Sequence, residues 1–317
     1  MQAFRFGIMG AGRIAHKFCD AARRAGCEVA AVSSKSARRA ADFAAEEKIP
    51  RFYDDYAAML DTEDLDAVYI ATTHNFHYEN IMLCLRYKVP VLCEKCMVCT
   101  QAEAEAVFAE AKKQNVFVME AMWSRFLPHI KRAEKWLAEG RIGQAELASA
   151  VVAFRAEYQP ESRLFAPELA GGAMWDVGVY AAELLTYLLK ENPEEVKSMI
   201  SRAPTGADKA AAALLRFSNC LGVIQTGVLA AAREGITITG TEGSIFLPHS
   251  HAGREALLYN RKGILIEHFI EDYPNGFLWE AEETVRCVRG GLLESPVVPW
   301  QDTLWCAGLF DRILSES

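Results

Sequence analysis

The sequence predicts an α/β fold in two parts, a doubly wound parallel sheet followed by an α+β domain with a large, open and mostly antiparallel sheet. Three observations carry that expectation. Short apolar runs alternate with helix-period segments up to Glu120, the rhythm breaks there, and from Val196 to Ile270 apolar runs follow one another with no helix between them. Strands separated by helices make right-handed βαβ units and a parallel sheet, whereas strands in direct succession make an antiparallel or mixed one.

Taken in order, Phe4 to Met9 reads as a strand that enters Gly10-Ala11-Gly12-Arg13-Ile14-Ala15, after which helix-period residues continue to Ala25. Further strands are expected at Glu28 to Val32, Pro50 to Tyr53, Ala67 to Ala71, Val89 to Cys93 and Val116 to Met119. Helices are expected at Ala37 to Glu47, Asp54 to Leu60, His77 to Tyr87 and Thr100 to Gln114. Beyond the break come a helix near Pro128 to Glu139, a strand within Ala145 to Glu157 and a helix from Trp175 to Leu189. Seven strand-like runs bounded by turn residues follow, and the chain closes with helices at Gly276 to Arg289 and Gln301 to Leu314. The domain boundary is placed at residues 120–125, giving 1–122 and 123–317.

Composition narrows the function. With 317 residues, 51% hydrophobic and 24% charged, there is apolar material for two cores. A formal charge of -8 without a basic cluster argues against a nucleic-acid partner. No apolar stretch approaches a bilayer span, and the start lacks the apolar core of a signal peptide, so a cytoplasmic protein is expected. Nine cysteines are expected as reduced, mostly buried thiols. Cys93, Cys96 and Cys99 have a spacing that metal sites use, but no fourth ligand lies near them, and buried thiols with no metal are the expectation.

The glycine motif is the first functional signal. Gly10 permits the tight turn out of the strand, Gly12 lets the backbone approach a pyrophosphate, and Ala15 is small enough for close helix packing. The amides at Arg13 and Ile14 then point at the phosphates. This is the pattern of a Rossmann dinucleotide site, against the alternative of a glycine turn with no ligand. The end of the second strand holds Ser33, Ser34 and Lys35, with Arg38 and Arg39 beyond, where a carboxylate usually marks an NAD site. Hydroxyls and cations suit a 2′-phosphate, so NADP(H) is favoured, with NAD(H) open.

Ligands of such a sheet bind beyond the carboxyl ends of its strands. Those places hold Thr72, Thr73, His74 and His77, then Glu94 and Lys95, then Glu120, Trp123 and Arg125. Lys95 is the candidate that polarises a substrate oxygen, against a plain surface pair with Glu94. In the second domain, Asp176 and Tyr180 lie four residues apart on one helix, where a carboxylate and a phenol can bind and deprotonate a hydroxyl; a core tyrosine is the alternative. Trp123, Phe154 and Trp175 are candidate walls of a substrate pocket, with core packing as the alternative for each.

These residues together resemble the Gfo/Idh/MocA (glucose-fructose oxidoreductase and inositol dehydrogenase) family over essentially the whole chain. The likeness rests on Gly10-Ala11-Gly12-Arg13-Ile14-Ala15, Ala71-Thr72 with His77, Val91-Leu92-Cys93-Glu94-Lys95, and Gly171-Gly172 followed by Asp176-Val177-Gly178. Within the family, Thr73-His74, the run Glu120 to Phe126 and Tyr180 look most like the dihydrodiol dehydrogenase and D-xylose 1-dehydrogenase branch. The resemblance implies an NAD(P)-dependent oxidoreductase acting on a sugar, polyol or diol. Lys95 would touch substrate and nicotinamide ribose, Asp176 would hold substrate hydroxyls, and Tyr180 would be the acid/base, its pKa lowered by Lys95. It also implies a homodimer or homotetramer through the C-terminal sheet. Where the family reads Glu-Lys-Pro this chain has Cys96, which leads to the expectation of a trans or slightly rearranged turn. A nucleotide-binding sensor without turnover is the competing reading.

Overall fold

The computed structural model describes residues 2–315. It divides into two compact units, one of residues up to Trp123 together with Asn275–Leu304, the other of Ser124–Pro274 with the chain from Trp305 onward.

The first unit alternates β1 (Arg5–Met9), α1 (Arg13–Arg24), β2 (Glu28–Ser33), α2 (Ala37–Glu47), β3 (Arg51–Tyr53), α3 (Tyr56–Thr62), β4 (Ala67–Ile70), α4 (His77–Arg86), β5 (Val91–Glu94), α5 (Gln101–Gln114) and β6 (Val118–Ala121). The six strands form one parallel sheet in the order β3-β2-β1-β4-β5-β6. The order reverses between β1 and β4, so the crevice beyond their carboxyl ends is where a doubly wound sheet takes its ligand. β4 is buried along its whole length because helices cover both faces of the sheet. α1 turns Ala15, Phe18, Cys19 and Ala22 inward at helical spacing, and Phe18 stacks on Tyr69 of β4 with ring centroids 3.7 Å apart.

The second unit begins with α6 (Pro128–Ala138) and β7 (Ala145–Ala153). A π-helical turn at Met174–Gly178 then leads into α7 (Val179–Leu189). Seven strands follow: β8 (Glu195–Arg202), β9 (Asp208–Arg216), β10 (Leu221–Gly227), β11 (Gly235–Gly240), β12 (Gly243–Pro248), β13 (Glu255–Asn260) and β14 (Leu265–Ile270). The sheet order is β14-β13-β12-β11-β7-β10-β9-β8, and every pair is antiparallel except β7 with β10. α7 is apolar nearly all round and buried from Val179 to Leu188. Leu147, Leu214 and Leu221, by contrast, stand 57–60% exposed on the sheet.

The expected class is the observed one. The last segment departs from the expected single boundary, because α8 (Leu278–Arg289) and the start of α9 (Trp300–Ser315) return to the first unit. α8 packs on α1, burying Glu280, Ala281, Thr284 and Cys287. Trp300 Nε1 donates to the Val118 carbonyl at 2.9 Å, and the Val118 amide donates to the Leu293 carbonyl at 3.0 Å. A pattern read along the chain shows that these helices exist but not which core they complete. None of the described helices is long and apolar enough to cross a membrane.

Candidate active site

In the first unit the glycine turn is dictated by space. Gly10 has φ +103°, and a Cβ there would lie 2.7 Å from the Ala71 carbonyl oxygen. At Gly12 a Cβ would meet nothing nearer than 4.0 Å, so the surface above it is open to a ligand. Gly12 is the N-cap of α1, no side chain caps it, and no acidic residue occupies the first turn. The amides of Arg13 and Ile14 therefore sit at the positive end of a helix that carries no competing carboxylate. Such a cradle fits the pyrophosphate of a dinucleotide.

At the end of β2 the structure redistributes the expected roles. Ser33 is fully buried and its hydroxyl has no hydrogen-bond partner among the described residues, while Ser34 is also buried and accepts from the Ser36 amide at 3.5 Å. The Ser33 hydroxyl thus faces the interior, because it ends a strand whose alternate residues pack inward on both faces. Cations take the solvent side. Lys35 Nζ lies 4.6 Å from the Phe76 ring centroid, and the Arg38 side chain is 91% exposed with a loose 3.7 Å contact to Asp42.

Beyond β4 and β5, two histidines bind backbone. His77 is wholly buried, with Nδ1 2.7 Å from the Cys96 carbonyl and Nε2 3.0 Å from the Thr72 carbonyl. Burial lowers its pKa to about 4, so the ring is neutral and owns one N–H, which we assign to Nδ1 because its acceptor is nearer. His74 Nε2 lies 3.0 Å from the Lys95 carbonyl, and Thr72 Oγ1 accepts from Asn80 Nδ2 at 3.1 Å. The Nδ1–H of His77 therefore ties the start of α4 to the loop after Lys95, and its fully buried ring has no surface for a nucleotide.

The Lys95–Cys96 peptide is cis, which corrects the expectation of a trans turn; its own carbonyl, that of Lys95, faces His74, and the carbonyl of the next peptide, that of Cys96, is held by His77. Glu94 also faces inward. Its carboxylate accepts from the Tyr69 hydroxyl and, at 3.3 Å, from the Lys95 amide, while burial raises its pKa. Glu280 of α8 lies within its electrostatic reach, fully buried, with no hydrogen-bond partner for either oxygen among the described residues. Burial and then Glu94 push the Glu280 carboxyl far above the ordinary carboxylate range, favouring its protonated form. Glu120 accepts from the Met97 amide at 2.9 Å and the Thr303 hydroxyl at 2.7 Å, and Trp123 stacks on Phe277 at 4.9 Å. Cys93 and Cys96 are buried and Cys99 half-buried, and no group of three or more His, Cys, Asp or Glu among the described residues is arranged to hold a metal ion.

In the second unit the turn carrying Asp176 and Tyr180 is built on a long-range contact. Asp208, at the head of β9, is buried and accepts from the Met174 amide at 2.8 Å. Gly172 (φ +152°) makes room for it, since a Cβ there would fall 1.9 Å from Asp208 Oδ1. Desolvation raises the Asp208 pKa from 3.8 to about 6. Asp176 lies within the π-helical turn and pairs with Arg163 at 3.0 Å, and Tyr180 follows in the first turn of α7, 7% exposed. Its ring stacks against His251 with centroids 4.9 Å apart. Phe154 and Trp175 are half-buried.

Arg125 sits differently from the expectation of a substrate contact. It is completely buried, donates to Glu183 of α7 at 2.9 Å, and lies over the Tyr187 ring at 5.0 Å. A carboxylate inside an apolar helix requires such a partner. Asp208, Arg163, His251 and Glu280 were not singled out from the sequence. An acid heading the apolar run of β9 is the one local hint among them; the others lie far along the chain from the groups they meet.

The glycine turn and uncapped helix start at the carboxyl ends of a doubly wound sheet define a dinucleotide-binding unit. Residues 4–122 match the oxidoreductase family with an NAD-binding Rossmann fold, and residues 130–246 match the Gfo/Idh/MocA C-terminal domain. The trans-1,2-dihydrobenzene-1,2-diol dehydrogenase of Danio rerio is 32% identical over 98% of this chain and 96% of its own. The D-xylose 1-dehydrogenase (NADP(+)) of Hypocrea jecorina is 30% identical over 95% of this chain and 88% of its own. Among solved structures, a 3-ketoreductase from Actinomadura kijaniata in complex with NADP and TDP-benzene superposes with a TM-score of 0.88 at 22% identity, covering 98% of this chain and 97% of that one; this likeness concerns the fold. The chain belongs to the Gfo/Idh/MocA oxidoreductase family.

Proposed function

We propose that the protein is an NADP(H)-dependent oxidoreductase that interconverts a CH–OH and a C=O carbon of a sugar, polyol or trans-dihydrodiol. The observation that carries this reading is the buried turn holding Asp176 and Tyr180 in the C-terminal unit of a chain whose Rossmann unit has the half-buried Lys95 directly after β5. The nicotinamide supplies or accepts the hydride. Tyr180 exchanges the proton of the reacting hydroxyl, Asp176 accepts hydrogen bonds from substrate hydroxyls, and the Lys95 ammonium stabilises charge developing on the substrate oxygen. The cations Lys35 and Arg38 support NADP(H), since β2 ends without a carboxylate. The names of the two curated relatives support the substrate class. Trp123, Phe154 and Trp175 are candidate walls for the substrate, and Arg125 is assigned to the interior instead.

We further propose a homodimer through the exposed apolar face of the C-terminal sheet, where Leu147, Leu214 and Leu221 stand out from the strands. A cytoplasmic setting is supported by nine free thiols.

The test is titration with NADPH and NADH, followed by absorbance at 340 nm with D-xylose, inositols and trans-dihydrobenzenediol. NADPH is expected to bind about tenfold more tightly than NADH, roughly 1.4 kcal/mol. Lys95→Ala and Tyr180→Phe are expected to lose about 100-fold or more of turnover while keeping NADPH affinity. Binding of NADPH without turnover on any of these would point to a sensor, and no binding of either nucleotide would end the reading.

A further inference from the structure

The loop between β12 and β13 is held at three points. The Ser250 carbonyl accepts the Nε2–H of His129 on α6 at 2.9 Å, and the Tyr273 hydroxyl lies 3.2 Å from the Ala252 carbonyl and 2.8 Å from that of Gly253. At Gly253 a Cβ would fall 2.3 Å from the Pro248 carbonyl oxygen and 3.3 Å from His129 Nε2, so the loop closes against its clamp with no room for a side chain. His129 is fully buried, and burial lowers its pKa to about 4. Its ring is therefore neutral, with its one N–H committed to Ser250, while Nδ1 has no hydrogen-bond partner among the described residues. What the clamped loop presents is His251, whose ring lies on that of Tyr180 with the planes 27° apart.

We propose that His251 is a positioning residue for Tyr180: the loop holds the imidazole on the phenol ring, so that the protonation of one ring is coupled to that of the other. An imidazolium is attracted to the face of a tyrosine, and it favours the phenolate further by direct charge. Two groups that interact in this way titrate as a pair. The charged groups around the loop have partners of their own. Glu255 on β13 meets His268 at 2.7 Å, Glu234 meets His249 at 3.2 Å, Arg254 pairs with Asp272, and Asp176 pairs with Arg163. His129 on α6 is uncharged near neutrality. The proton on His251 then sets how strong an acid Tyr180 is, and the clamp from α6 keeps the two rings in register. The coupling follows from the stack; its bearing on catalysis rests on the acid/base reading of Tyr180.

The experiment is NMR on the full chain carrying 13Cζ-tyrosine and 13Cε1-histidine, with the two signals assigned by their loss in Tyr180→Phe and His251→Phe. The His251 pKa is expected to fall by about 0.5 unit or more in Tyr180→Leu. The Tyr180 signal of the unmodified protein is expected to inflect where His251 titrates, and the inflection is expected to vanish in His251→Phe. A His251 titration unchanged in Tyr180→Leu, or a Tyr180 signal flat across the His251 transition, overturns the proposal. If Tyr180→Leu does not fold, the His251→Phe arm decides alone, since a phenylalanine keeps the stack. These signals need no turnover. Full activity in Tyr180→Phe would end the acid/base reading and leave the coupling standing, and a flat NMR titration beside an inactive Tyr180→Phe would end the coupling alone.

Discussion

The nucleotide edge of the first unit and the helix entry of the second solve different problems. At the nucleotide edge the shape comes from backbone: Gly10 under the Ala71 carbonyl, Gly12 at an uncapped helix start, and His74 and His77 holding the carbonyls of the Lys95 turn. Its cations stay outside, at Lys35 and Arg38. At the helix entry acids go inside, with Asp208 under Gly172, Asp176 against the half-exposed Arg163, and Glu183 against the buried Arg125. A surface made of amides serves any member of a family that binds one kind of nucleotide. A surface made of buried charges depends on each partner, and is where one chain can differ from its relatives.

The sharpest way to break that contrast is Arg125→Ala. It leaves the Glu183 carboxylate in an apolar interior and is expected to cost about 3–5 kcal/mol in urea unfolding. A normal unfolding curve combined with weakened ligand binding would instead make Arg125 a ligand contact.

Asp208→Asn is the next largest. The folded-state pKa, about 6, lies above the ordinary 3.8, so native Asp208 holds its proton more tightly than the unfolded chain does. Its contribution to stability is present below the unfolded value and lost as pH rises through about 6. The variant lacks this dependence. Its stability minus that of the unmodified protein is expected to grow by about 2 kcal/mol between pH 4 and pH 7. A difference that does not change over that range would show that Asp208 is not desolvated under Gly172.

A smaller effect is expected at the open sheet. Leu214→Asp removes one apolar side chain from the proposed dimer face and is expected to weaken association by about 2 kcal/mol, roughly 30-fold, in sedimentation equilibrium. Unaltered association would place the interface elsewhere.

The alternation of strands and helices, the glycine turn and the strand succession after Val196 were legible because each depends on neighbours a few residues apart, where side-chain period and backbone freedom act directly. By spacing alone the sequence determined a doubly wound sheet, a second mostly antiparallel sheet, and the places of Lys95 after a strand and of Asp176 and Tyr180 near a helix start, but not the cis peptide after Lys95 or the π-helical turn at Asp176. The tertiary structure decided what those residues meet. Met174 and Asp208 are 34 positions apart and Arg125 and Glu183 are 58, while Tyr180 finds its stacking partner at His251. The same long range turned Ser33 inward, committed the N–H of His77 to the Cys96 carbonyl, and returned α8 to the first unit. Such pairings follow from sheet register and from which core a helix completes, and neither is written in the local period of the chain.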